Sequence, residues 1–399
     1  MGNRQGNSIL FCKWYSICED GIDHAFRQLG YQVDEIKKKS EEFDYDYDRN
    51  YLRELSSRLQ EKPYVCVFSV DFIPVISKVC NIHKIFYICW VVDNPCFQLF
   101  SDAIHNPWNR IFMFDYSQYE KFHPQNPKCT YHLPLACDYE KWSAVELTDE
   151  DRKNYTCDIS FIGSTYEEKC MYNHIENIPD YIQGYVDGII SAQMNVYGYN
   201  LIEDALTDEF VKMFKECAQW YPLMEDYTED LKAIVADVYI GVKCTEQERI
   251  ATLRNISEHA NLDLYTLSDV SRIPKANFRG GADSKTMMPQ IMKCSKINLN
   301  MTSRPIRTGL PLRIFDILGL GGFLLTNYQA ELPDLFEIGK DLAAYESQED
   351  LINQIHFYLK HDDIRMEIAE NGHKKVKELY TYEKRIAQIM ETVFSPSNL

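Results

Sequence analysis

Apolar residues fall along this chain in two alternating patterns. Some runs are apolar almost without a break, and in other stretches apolar residues recur every three or four positions. In the first third the unbroken runs are SILFC (Ser8–Cys12), YVCVFSVDF (Tyr64–Phe72), KIFYICWVVD (Lys84–Asp93), NRIFMFD (Asn109–Asp115) and TYHLPL (Thr130–Leu135). Such runs fit strands buried on both faces, as in a parallel sheet. GIDHAFRQLG, by contrast, has helical spacing, with Gly30 placed to end the helix. Several runs end at or near Asp71, Asp93 or Asp115. In open α/β sheets ligands bind at the carboxyl ends of strands, so these positions matter.

The polar stretch VELTDEDRKNYT (Val145–Thr156) reads as a link to a second unit, which opens with the strand CDISFIGS (Cys157–Ser164). A largely helical insertion follows over about 167–236. The alternation then resumes: RIATLRNISEHA as helix, LDLYTLS as strand, TMMPQIMKC as helix, KINLNMT as strand. RTGLPLRIFDILGLGGFLLTN (Arg307–Asn327) reads as a turn, a short helix with Pro311 one step inside its start, a double glycine and a buried strand. DLAAYES is a late strand, QEDLINQIHFYLKHDDIRMEIAENGHKKVKEL has helical periodicity, and YEKRIAQIMETVF is an amphipathic helix. The pattern predicts two doubly wound α/β domains with a cleft between them, residues 1–150 and 151–378, and a final helical segment, 379–399. A length of 399 residues agrees, because single cores stop growing at about 250–300.

Charge and cysteine usage narrow the function. The formal net charge of −18 argues against a nucleic-acid binder, whose footprint is a basic patch or stripe, but leaves room for a local pocket for one small anion. The thirteen cysteines show no C-x-x-C spacing, and many sit inside apolar runs, which reads as buried free thiols in a reducing compartment. The N-terminal MGNRQGNSILFCKWYS lacks the apolar core of a signal peptide and has Gly6 where a myristoylation pattern needs Ser or Thr. No stretch reaches the about 18 apolar residues of a membrane span, so a soluble, cytoplasmic protein is expected.

Two stretches carry candidate chemistry. CDISFIGS ends in Gly163, Ser164 and Thr165, where glycine permits close backbone approach and the amides and hydroxyls suit phosphate oxygens; an ordinary tight turn is the alternative. In KINLNMTSRPIRTG a strand ends at Asn300, Thr302 follows, and Arg304 and Arg307 precede Gly309 and the Pro311 helix. Arginine suits bidentate phosphate contact, and a helix N-terminus adds roughly half a positive charge. Arg313 and Asp316 either pair with each other or serve a ligand, the carboxylate taking both hydroxyls of a ribose. Asn327 and Glu331 fall at the next ligand-facing edge. DYDYD and LTDEDRK contain Asp-x-Asp pairs but lie in polar, solvated stretches, so no metal site is expected.

MPQIMKCSKINLNMTSRPIRTGLPLRIFDILGLGGFLLTNYQAELPDLF closely resembles the carboxyl-terminal domain of spore-maturation (CgeB-like) glycosyltransferases, a bacterial group. WVVDNPCFQLFSDAIHNPWNRIFMFD, HLPLACD and DISFIGSTYEEKC resemble the amino-terminal domain of that group and its junction. The resemblance implies a GT-B fold: two Rossmann-like domains facing a cleft, a nucleotide-sugar donor on the second, a protein or glycan acceptor on the first, and a last helix crossing back. It implies hexosyl or N-acetylhexosaminyl transfer without a cofactor or metal, because helix dipole and basic side chains stabilise the leaving diphosphate. Carried over by position, Asp316 matches the ribose-binding acid, Glu331 the later acid near the donor, and Gly163–Ser164 the diphosphate loop. Arg307 or Arg313 is then expected near the phosphates, and Asn300, Thr302 and Asn327 complete a site for a uridine diphosphate sugar. Thr308 departs from the broader retaining group, which has a glutamate there, so retaining and inverting outcomes both stay open. An inverting enzyme needs a base; Asp93, beside Pro95, is the leading candidate, with Asp71, Glu19 and His24 as alternatives, and a carboxylate that only caps the next turn is the other reading of Asp93. A catalytically silent nucleotide-sugar-binding or assembly protein is the competing reading. A nicotinamide enzyme is disfavoured, since CKWYSICEDG lacks G-x-G-x-x-G.

Overall fold

A computed structural model describes residues 6–37, 49–218 and 227–395. The acidic DYDYD run lies outside these residues. The chain forms two compact units.

The first unit holds a six-stranded, all-parallel sheet: β1 (Ser8–Lys13), β2 (Gln32–Lys37), β3 (Cys66–Val70), β4 (Phe86–Val91), β5 (Asn109–Met113) and β6 (Thr130–His132), in the order β2-β1-β3-β4-β5-β6. The inner strands β3, β4 and β5 are buried along almost their whole length, which is why they are mostly apolar, with Ser69, Asn109 and Arg110 as buried polar exceptions. Chain order reverses between β1 and β3, so their carboxyl ends open the crevice typical of doubly wound sheets. This unit runs to Asp138, earlier than the expected boundary at 150, and takes back the chain end from Tyr380. The final helix, Tyr382–Phe394, buries Ile386, Ile389, Met390 and Val393. It packs on the helix Glu19–Gln28, where Gly21 lets the Tyr382 ring come so close that a Cβ would sit 2.7 Å from it.

The second unit also holds a six-stranded parallel sheet: β7 (Cys157–Ile162), β8 (Leu262–Tyr265), β9 (Asn277–Gly280), β10 (Ser295–Asn300), β11 (Leu324–Asn327) and β12 (Ala343–Tyr345), ordered β12-β11-β10-β7-β8-β9. Its core joins Ile159, Phe161, Leu264, Ile297, Leu299 and Leu325 from the sheet to Ile250, Leu253 and Ile256 of the helix Val242–His259. The supposed linker is instead partly helical: Asp149–Tyr155 is a helix whose Thr148 and Asp151 form a reciprocal capping box. The inserted region contains the helices Asp180–Gln193 and Asp208–Cys217 and a π-helix, Ile234–Gly241, buried at all eight positions. Within it, residues 227–229 belong to the first unit, where Tyr227 bridges Ser101.

All thirteen cysteines are free thiols, and ten are buried. Among the described residues no helix is long and apolar enough to cross a membrane.

Candidate functional site

The candidate site in the second unit lies at the carboxyl edge formed by β7, β10 and β11. At β10 and β11 the polar residues expected to meet a ligand are engaged with one another. Asn300 Nδ2 donates to Thr302 Oγ1 (3.2 Å) and Thr326 Oγ1 (2.9 Å), and the Thr302 N–H donates to Asn327 Oδ1 (2.8 Å). All four are buried, so this network fixes how the chain leaves the sheet. The next turn is stitched down as well: Thr308 Oγ1 donates to Glu331 Oε1 (2.8 Å), and Gln329 Nε2 donates to the Ile306 carbonyl (3.2 Å). At β7 the Gly163 N–H donates to the Tyr265 carbonyl, and Ser164 Oγ donates to Glu168 Oε1 (2.5 Å) while accepting the Tyr166 N–H (2.7 Å).

The arginines divide into two classes. Arg304 is buried in a forked pair with Glu248 (2.7 and 2.6 Å). Arg307 reaches into the insertion, where it pairs with Asp237 of the π-helix (3.0 and 3.2 Å) and with Glu203. Burial works against the Arg307 charge, but these two carboxylates outweigh it and hold the guanidinium above its usual pKa. Arg307, expected at phosphate, is therefore committed to two carboxylates of its own unit. Replacing it with alanine strands them in a mostly buried place, and unfolding in urea should show a loss of about 3 kcal/mol, the low end for breaking a buried pair. An unchanged midpoint would remove Arg307 as the clamp of the insertion.

Arg313 and Arg249 form the second class. Arg249, on the helix Val242–His259, was not singled out from sequence. Its Nη1 donates to the Ser164 carbonyl (2.7 Å) and its Nη2 to the Met301 carbonyl (2.5 Å), spanning the ends of the adjacent strands β7 and β10. The guanidinium lies over the rings of Tyr166 (4.6 Å) and Phe161 (5.5 Å), and its Nε, in the interior, has no acceptor among the described residues. The neighbouring Glu248 turns the other way, to Arg304. Arg313, in the helix Leu312–Gly319, donates to Met288 Sδ. Neither arginine has a carboxylate at ion-pair distance among the described residues. Burial pulls both below the usual arginine pKa; Asp316 partly offsets this at Arg313, and repulsion from Arg249 adds to it. Two half-buried like charges that repel each other, in a chain of net charge −18, favour an anion at this edge. Asp316 completes this edge, with Oδ1 accepting the indole N–H of Trp142 (2.8 Å).

In the first unit the parallel register sets Val70 beside Trp90, so Asp71, just past β3, meets the chain just past β4. Asp71 is 7% exposed and left-handed (φ 56°), a conformation aspartate tolerates better than most residues. Its Oδ1 accepts the N–H groups of Val92 (2.8 Å) and Asp93 (3.2 Å), and burial first, with the neighbouring Asp93 charge second, pushes its carboxyl well above the usual aspartate range. Asp93 is exposed rather than set in a buried strand end, because β4 stops at Val91. Asp115 caps the next helix and accepts Asn94 Nδ2 (2.8 Å). Glu19 is buried and accepts the Trp14 and Tyr15 N–H groups (2.6 and 3.0 Å), shaping the turn after β1. His24 is exposed on a helix beside Gln28.

Two parallel six-stranded sheets with these edges define a GT-B fold, and comparison with solved structures agrees. A glycosyltransferase from Rickettsia africae superposes with a TM-score of 0.56 at 10% identity, over 98% of this chain and 100% of that one. Anabaena HepE, solved in complex with UDP-glucose, gives 0.54 at 10% identity over 97% and 99%. Sucrose-phosphate synthase from Thermosynechococcus elongatus gives 0.54 at 9% identity over 97% and 99%. Residues 251–391 match the sequence model of a family described as glycosyl transferase-like. No curated protein matches this chain in sequence.

Proposed function

We propose that this chain transfers a hexosyl or N-acetylhexosaminyl group from a uridine diphosphate sugar to a hydroxyl of a protein or glycan acceptor, as in the CgeB-like glycosyltransferases that residues 288–336 resemble. The observation that carries the reading is the pair Arg249 and Arg313, two cations with no carboxylate at ion-pair distance among the described residues, at the carboxyl edge of β7 and β10 with Asp316 beside them. Arginine forks match phosphate oxygens and stabilise charge that grows on a leaving diphosphate. The solved neighbours support the fold on which such a site is built, and one of them is complexed with UDP-glucose. The protein is expected to act without a metal, in the cytoplasm.

Calorimetry with UDP, GDP and uridine, with UDP release measured from a panel of UDP-sugars and candidate acceptors, tests the reading. Tight UDP binding without release under any condition would favour the silent, binding-only alternative. That alternative draws on Thr308, whose hydroxyl bonds Glu331 where the resemblance expects an acid.

Asp316 is proposed to hold the ribose. Asp316→Ala should then weaken UDP binding by about 1.5–3 kcal/mol, the range for a hydrogen bond to a charged group. Asp316→Asn separates this from loss of the Trp142 contact, since its amide oxygen still accepts the indole N–H. Unchanged calorimetric affinity in both folded variants would end the ribose assignment.

A further inference from the structure

Glu168 stands on the surface of the second unit, yet both of its carboxylate oxygens are in use. Oε1 accepts the Ser164 hydroxyl (2.5 Å) and Oε2 accepts the Ser268 hydroxyl (3.0 Å), so one side chain ties the loop after β7 to the loop after its neighbour β8. Each serine oxygen in turn accepts a backbone N–H, Ser164 that of Tyr166 (2.7 Å) and Ser268 that of Thr165 (3.0 Å). An ionised carboxylate only accepts, so both hydroxyl protons are committed to it, and the amides of residues 165 and 166 are committed to the serines. The loop turns other groups toward Arg249. Its Nη1 meets the Ser164 carbonyl (2.7 Å), and its guanidinium lies 4.6 Å from the centre of the Tyr166 ring. Gly163 makes room, since a Cβ there would come within 3.3 Å of the Phe161 ring and 3.8 Å of Arg249 Nη1. Tyr166 holds a left-handed backbone (φ 73°) that bulky residues avoid, and its N–H bond to Ser164 Oγ helps to pin it there. Arg249 Nε and Thr165 Oγ1, both interior, have no partner among the described residues. Strain and unpaired polar atoms in one loop mark a place shaped by function more than by stability.

We infer that the loop after β7 is a seat for Arg249 and that Glu168 is its positioning residue. Through Ser164 and Ser268, Glu168 sets the carbonyl and the aromatic ring that hold the guanidinium in place. The inference rests on the reading that Arg249 meets the diphosphate, and it assigns the phosphate contact at this strand end to Arg249 rather than to the Ser164 hydroxyl.

Glu168→Ala removes an exposed side chain, a change that ordinarily has little effect. Here it should lower UDP affinity and sugar transfer by about 10- to 100-fold, the scale of a misplaced contact, while uridine affinity holds. Glu168→Gln should restore most of that loss, because its amide oxygen accepts one serine hydroxyl and its amide nitrogen donates to the other serine. Ser164→Ala should weaken UDP binding as well, and combining it with Glu168→Ala should cost little more than either change alone. A double-mutant cycle with Arg249 is the sharpest test: once Arg249 is lysine, Glu168→Ala should cost almost no further UDP affinity. Arginine Nε–H NMR supplies a readout that needs no ligand. The Arg249 signal, identified by its absence in Arg249→Lys, should exchange slowly with solvent in wild type and markedly faster in Glu168→Ala. Unchanged UDP affinity in Glu168→Ala, equal losses for UDP and uridine, full additivity with Arg249→Lys, or a Glu168→Gln variant no better than alanine would each overturn the positioning role. A further loss on adding Ser164→Ala to Glu168→Ala would return the phosphate contact to the serine. If wild type binds no UDP, the donor reading falls, and NMR alone decides whether Glu168 seats Arg249: equal exchange in wild type and Glu168→Ala ends that role.

Discussion

Replacing Asp93 with asparagine should cut sugar transfer by about 10²-fold or more while leaving UDP affinity unchanged. The expected scale is that of losing a general base. Asparagine keeps the shape of the side chain and leaves the backbone N–H of residue 93 on Asp71 Oδ1, so the turn after β4 should stand. Only the basicity is lost. Paired measurements, turnover against calorimetric UDP affinity, separate the outcomes. A collapse of UDP affinity would make Asp93 a residue that organises the protein. Untouched transfer would place the base elsewhere, or mean that the enzyme retains configuration and needs none. Glu19 is then a weak substitute, because its carboxylate already holds two backbone N–H groups of the turn after β1, and His24, exposed beside Gln28, is the next residue to test.

Strands were legible in the sequence where apolar residues dominate the run, even where polar ones such as Asn109, Arg110, Asp158 and Ser160 interrupt it. β3, β4, β5 and β7 were each visible as apolar runs, and the overshoot at their ends was a residue or a few. β2 and β9 were not singled out. Both are edge strands: β2 carries Asp34, Glu35 and Lys37 among its six residues, and β9 is largely exposed. Edges are kept polar against stray pairing, so their periodicity is weak. The site divides in the same way. The loop after β10 was recognisable from its arginines, but sequence shows charge and not partners. Arg304 and Arg307 meet Glu248 and Asp237, which lie 56 and 70 positions earlier in the chain. Arg249 was passed over because it looked like one more polar position on an amphipathic helix. Only the parallel pairing of β7 with β10 sets the two carbonyls it joins side by side.

Removing the forked contact of Arg249 should be the most damaging change on the donor side. Arg249→Lys keeps a charge but loses the planar fork and the span between the Ser164 and Met301 carbonyls, so turnover should fall by about 10²–10³-fold, the scale of losing one preorganised donor at a developing charge. The same change could act by letting the ends of β7 and β10 drift, and uridine separates the two causes because it has no phosphate. A phosphate contact predicts that UDP affinity drops while uridine affinity holds. Displaced strand ends predict equal losses for both, and that result would reduce Arg249 to a structural tie. Arg313 provides the cross-check, since among the described residues its hydrogen bond runs to Met288 Sδ. Arg313→Met removes one of two desolvated like charges, so unfolding in urea should show the free protein unharmed or slightly stabilised while UDP binding weakens. If both arginines grip one diphosphate, the double variant should lose less UDP affinity than the two single losses added together. Strict additivity would mean that they serve different ligand groups or that only one of them touches the ligand.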